Sequence, residues 1–153
     1  MAKIITQKEA DRLLSMEKVK VDDTIWVLPY AGAKISIPLQ SKDYKEKFML
    51  DVNTSKLCLA KLTLQNRTRD TITLCRLDIG VPHRNPDGQE VGSPHIHLYK
   101  EGFDDKWAYP LPNAIFKNLN NKWDVLVAFM TYCNITDVPN FNGKLLYEER
   151  TNG

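Results

Sequence analysis

The sequence predicts an α+β fold: an antiparallel meander sheet of five to six strands, flanked by an N-terminal helix and two C-terminal helices. Three observations carry this. Apolar residues follow a helical period near the N-terminus, change to a period of two between residues 24 and 99, and return to a helical period after residue 113. Successive strands are separated by short connections, which favours antiparallel neighbours over crossovers. No repeat, low-complexity tract or linker interrupts residues 1–153, so a single α+β domain is expected, long enough to bury a core.

The elements follow in order. Residues 6–17 read as a helix. Thr6 and Glu9 form a capping box, Ile5 sits at the staple position, and Ala10, Leu13 and Leu14 make a narrow apolar stripe. Residues 24–28 read as a first strand. Residues 35–39 alternate cleanly, and Pro38, which lacks a backbone donor, places that strand at an edge. Residues 47–52 form the next strand. Residues 57–64 and 71–78 form a long hairpin about a polar turn at 66–70. The stretch 80–94 holds three prolines and three glycines with no apolar period, so it reads as a structured loop. Residues 94–99 are the last strand of the meander. Asn113 caps a short helix bearing Ile115, Phe116 and Leu119. Asn121 caps a second, whose Leu126, Phe129, Met130 and Cys133 are spaced to pack on the sheet. Residues 142–150 add a short strand.

Composition narrows the function classes. A net charge of +2 creates no strong field for a polyanion, so nucleic-acid binding would need a local patch. No apolar run is long enough to span a bilayer, and the first residues lack the apolar stretch of a signal peptide. The expectation is a cytoplasmic protein without a membrane partner. Cys58, Cys75 and Cys133 are odd in number, far apart and set in apolar runs, which reads as buried reduced thiols. A thiolate ligand from Cys75 is disfavoured because strand alternation turns it away from Asp78.

All three histidines lie between residues 83 and 97. His95 and His97 are two apart, so on a strand their rings face the same way. If residues 74–78 pair antiparallel with 95–99, Asp78 neighbours His95, and His83 on the intervening loop can reach back. Three imidazole nitrogens and one carboxylate oxygen suit tetrahedral zinc. Asp78, His83, His95 and His97 are therefore the expected metal ligands, with Arg76 bracing Asp78. Four protein ligands would close the site and make it structural, whereas three leave a position for water and make it catalytic. Two metal-free alternatives stand beside this: imidazoles bonded to loop carbonyls on a half-exposed face, or an acid–base pair doing chemistry.

Other features read as scaffold. Residues 85–88, Asn-Pro-Asp-Gly, are a turn signature. The adjacent carboxylates Asp104 and Asp105 read as part of a solvated turn, with ion binding or acid–base chemistry as the alternatives. Lys61, Arg67, Arg69 and Arg84 read as a solvated basic face, with phosphate contact as the functional option. Trp26, Tyr30, Trp107 and Tyr109 are core residues or, if exposed, interface anchors.

The motifs Arg76-x-Asp78, Pro82-His83, Asn85 to Gly88, Pro94-His95-x-His97 and Gly102 to Pro110 resemble a family of small proteins of low-GC bacteria and their phages. The resemblance implies a metal-carrying phage or mobile-element protein that inhibits a bacterial defence nuclease, such as a CRISPR effector, by protein–protein binding (an anti-CRISPR). The sparser pattern of Arg-x-Asp, Pro-His and Pro-His-x-His is also similar to ribonuclease toxins of toxin–antitoxin pairs. That likeness implies nuclease or phosphodiesterase chemistry carried by His83, His95 and His97. The chain departs from those toxins in its insertion at 85–93, its single rather than doubled histidines and its added C-terminal helices.

Overall fold

A computed structural model describes residues 4–27, 32–54 and 61–142. The chain opens with helix α1, Gln7–Ser15. Thr6 caps it, its side chain accepting from the Glu9 backbone N–H at 3.1 Å. The reciprocal half of the capping box does not form, because the Glu9 carboxylate is held by Arg12 and Arg69 instead. Strands β1 (Lys18–Lys20), β2 (Ile25–Trp26), β3 (Lys34–Ser41), β4 (Lys47–Thr54), β5 (Leu62–Thr68) and β6 (Ile72–Ile79) follow. Next come β7 (His83–Arg84), β8 (Glu90–Val91), β9 (His95–Leu98) and β10 (Ala108–Pro110). Helix α2 (Lys122–Tyr132) and strands β11 (Ile135–Asp137) and β12 (Asn140–Phe141) complete the described chain.

The main sheet runs β10-β9-β6-β5-β4-β3-β1-β11, antiparallel throughout except where β11 joins β1 in parallel. Among the described residues it has eight strands where five to six are expected from sequence. The difference lies in β1, β10 and β11, which have three residues each. Three residues are too few to display a period, so only their partners reveal them. Pro38 also corrects an expectation, since β3 is interior, between β4 and β1. β1 pairs only with Leu39, Gln40 and Ser41, so Pro38 lies one residue beyond that pairing. The β5–β6 turn is tighter than the sequence implies, because β5 continues through Asn66, Arg67 and Thr68. The segment expected at 24–28 contributes only β2, which pairs with β12 apart from the main sheet. The expected strand segments at 57–60 and 143–150 lie outside the described residues, as do Tyr30 and Cys58.

Among the described residues a single C-terminal helix forms, not two. The segment begun by Asn113 makes one turn, with Ile115 and Phe116 N–H both donating to the Pro112 carbonyl, and goes no further. One turn fixes several dihedrals for few bonds. Asn118 then accepts from the Asn120 N–H and donates to Asp124, drawing the backbone into a turn. Phe116 is still buried. α2 is capped as expected by Asn121, which accepts from the N–H groups of Trp123 and Asp124.

Both helices contribute to one core. Ala10 and Leu13 of α1, and Val125, Leu126, Phe129 and Met130 of α2, join Leu39, Phe48, Leu50, Val52, Leu64, Leu77 and Ile96 of the sheet. Each fully buried large aliphatic or aromatic side chain contributes about 1.5–3 kcal/mol. Cys75 and Cys133 are buried free thiols there. Lys18 is buried as well, and its three donors match three acceptors: the carbonyls of Leu14 at 2.8 Å, Met16 at 2.9 Å and Cys133 at 2.7 Å. One ammonium thus closes the C-terminal ends of both helices, where the helix dipoles favour a cation. Among the described residues, no helix is long and apolar enough to cross a membrane.

Candidate metal centre

Strand alternation turns Arg76, Asp78, His95 and His97 to one face of the sheet, away from Leu77 and Ile96. The register sets Asp78 opposite His95 and Arg76 opposite His97, as the expected pairing of 74–78 with 95–99 requires. One ligand atom each from Asp78, His95 and His97 falls within 4.8 Å of the others. The Asp78 Oδ2 atom is 3.1 Å from His97 Nε2 and 3.5 Å from His95 Nε2. These spacings resemble the edges of a tetrahedron about one ion, about 3.4 Å for metal–nitrogen bonds near 2.1 Å. The three residues form a buried cluster that can hold a metal ion.

His83 stands beside this trio. Its ring centroid is 4.6 Å from that of His97 and 5.8 Å from that of His95. It reaches there because 80–94 is a structured loop, as the prolines and glycines imply. The loop carries the β7–β8 ribbon, closed by the Asn85 to Gly88 turn. Gly80 opens it at φ +118°, where a side chain would be strained and would also overlap Lys61. The Gly80 N–H donates to Ser93 Oγ at 2.7 Å and ties the two ends of the loop together.

Each imidazole is oriented by a backbone carbonyl: His83 Nε2 by Lys106 at 2.7 Å, His95 Nδ1 by Gly92 at 3.2 Å and His97 Nδ1 by Asp105 at 2.7 Å. A carbonyl only accepts, so the facing nitrogen carries the proton. In that tautomer the other nitrogen of each ring keeps a lone pair. Metal-binding histidines are held this way by their outer partners.

Asp78 is an anion with many partners. Thr63 Oγ1 donates to it at 2.9 Å and Arg76 Nε at 3.1 Å. Burial alone would raise its pKa, but the Arg76 guanidinium and the Thr63 hydroxyl favour the anion and hold the carboxyl well below the usual carboxylate range. For His95 the main influence is burial, which lowers the ring's proton affinity; His97 and His83 add to this, against Gly92 and Asp78. Arg76 also bonds Asp105 through Nη1 and lies 3.1 Å from His97 Nε2 through Nη2.

Three contributors escape a reading of the sequence. Asn85 reads as a turn residue only, yet its side chain pairs with both backbone groups of Ala108, at 2.8 and 3.0 Å. It thereby covers the outer edge of β10 at Ala108 and fastens the loop there. Asp105 reads as solvated, yet it holds Arg76 with its carboxylate and His97 with its carbonyl. Thr63 carries no signal beyond its place in a strand. The expected basic face does not gather as free cations: Arg67 pairs with buried Asp51, Arg69 with Glu9 and Glu46, and Arg84 with Glu90.

Residues 5–135 match a family described as a family of unknown function (DUF6978), and the chain belongs to that family. No curated protein and no solved structure matches it.

Proposed function

We propose that this protein binds one divalent transition-metal ion of the zinc class through Asp78, His95 and His97, with His83 closing the set. The ion staples the loop 80–94 to the sheet. The observation that carries this reading is the orientation of three clustered imidazoles by three backbone carbonyls, with two of the remaining nitrogens set against one carboxylate oxygen. Nitrogen and carboxylate donors in this ratio match zinc better than calcium or magnesium, which take oxygen. The test is titration of purified protein with Zn²⁺, read by elemental analysis and thermal melting. One ion per chain and a raised melting temperature are expected, both lost in His97→Ala. A chain that takes up no Zn²⁺ refutes the reading.

What the protein does with that site follows from the sequence resemblance. On that basis it acts as an inhibitor that occupies the surface of a bacterial defence nuclease, such as a CRISPR effector. Such a protein needs complementarity and not turnover. Stoichiometric inhibition of an effector without cleavage of its nucleic acid is the expected result. A second reading, cleavage of a phosphodiester by His83, His95 and His97, draws support from Arg76, a guanidinium set beside the His97 imidazole where an oxyanion would need it. Incubation with RNA and single-stranded DNA, with and without Zn²⁺ or Mn²⁺, separates the two. Cleavage abolished by His97→Ala would overturn the inhibitor reading.

A further inference from the structure

The Arg76 guanidinium makes a two-pronged contact. Its Nε lies 3.1 Å from Asp78 Oδ2 and its Nη2 lies 3.1 Å from His97 Nε2. Those are two of the atoms that would ligate an ion. The His97 tautomer selected by the Asp105 carbonyl leaves a lone pair on Nε2, so in this arrangement Arg76 donates to both. A planar fork therefore satisfies two acceptors that lie only 3.1 Å apart and would otherwise repel. A dication bonded to the same two lone pairs needs the space and the electrons that the fork now uses. It would also stand against a fixed positive charge that cannot be lost by deprotonation.

The guanidinium has somewhere to go. Its Nη1 is held by Asp105 on the outer side of the site. The side chains of Arg76 and Asp105 are 26% and 28% exposed, whereas those of His95 and His97 are each 1% exposed. Turning about the Asp105 contact would move the fork toward solvent without moving the buried ligands.

We infer that loading this site is an exchange, in which the Arg76 fork leaves Asp78 and His97 as the ion arrives, while Asp105 keeps hold of the guanidinium. Arg76 is thus a positioning residue that competes with the metal and sets its affinity. This rests on the metal reading above. Removing the fork leaves two mutually repelling acceptors already spaced for a cation, so affinity rises.

The test is binding of Co²⁺ to the full chain, followed by calorimetry and by the visible absorption of tetrahedral cobalt, in wild type and in Arg76→Gln, each checked for fold by circular dichroism. The exchange predicts at least tenfold tighter binding by Arg76→Gln, with the cobalt spectrum retained. Equal or weaker binding by a folded variant overturns the exchange and leaves the metal reading standing. Absence of binding by both proteins overturns both. Wild type alone supplies a second readout, independent of how the variant folds. On loading with Zn²⁺, the Arg76 Nε–H signal in nitrogen-resolved NMR should lose its protection from solvent exchange. An unchanged signal at saturation overturns the exchange.

Discussion

Replacing Asn85 with alanine should release the loop that carries His83. The side-chain amide accepts from the Ala108 N–H at 2.8 Å and donates to the Ala108 carbonyl at 3.0 Å, and both bonds are buried. Each is worth about 1 kcal/mol net, and each backbone group left dry and unpaired costs a further 1–3 kcal/mol. Water reaches part of an edge strand once the loop lifts, so the total falls at about 2–4 kcal/mol rather than at the full sum. The change acts on local opening, and at about 1.4 kcal/mol per tenfold it should speed exchange of the Ala108 amide by about 30- to 1000-fold. Hydrogen exchange resolved by NMR measures this directly. Core amides such as those of Leu64 and Leu77 should change far less. Asn85→Asp gives a sharper control: it keeps an acceptor for the N–H but turns a second acceptor toward the Ala108 carbonyl. It should therefore fail like alanine despite its matching shape. Ala108 exchange within threefold of wild type in either variant would refute the clip.

Lys18→Met should destabilise the protein. Three charge-assisted bonds at about 1.5–3 kcal/mol each are lost. Against them stands the burial of the ammonium, which lowers its pKa from 10.5 to about 8 and so corresponds to about 3 kcal/mol. The bonds win by about 1.5–6 kcal/mol, or a fall of roughly 3–24 °C in melting temperature; a variant that melts no lower than wild type would contradict this. The folded value lies below the unfolded one, so the unfolded chain holds more protons between pH 8 and 10.5, and wild-type stability relative to Lys18→Met should rise across that window in urea melts. The same sign applies to His95 at lower pH. Its ring stays neutral further into acid than a free imidazole, so its NMR titration midpoint should lie below 6.5 and acidification through that range should weaken the fold. A midpoint above 6.5 would contradict the burial argument.

Long elements were legible because they carry a period. The eight-residue strands β3, β4 and β6 and the helix α2 each bury a patterned set of residues, and each falls close to its expected place. The three-residue strands were not legible, nor was the failure of the segment after Asn113 to propagate as a helix. There the outcome turns on partners and on competing asparagine turns, not on pattern. The candidate site divides in the same way. The two-residue spacing of His95 and His97 and the facing of Asp78 follow from alternation and register. The carbonyls of Gly92, Asp105 and Lys106 that aim the rings do not, since every residue has a carbonyl and none advertises its role.

By itself the sequence determined the class of fold, the strand that bears the two neighbouring histidines and the residue types able to hold an ion. Only the tertiary structure decided that Asn85 would fasten the loop to Ala108, that Asp105 would anchor both Arg76 and His97, and that the guanidinium bracing Asp78 would also occupy the lone pair of His97. The physical reason is separation along the chain. Periodicity reports contacts within an element, whereas these bonds join groups more than twenty residues apart or depend on backbone atoms common to all residues.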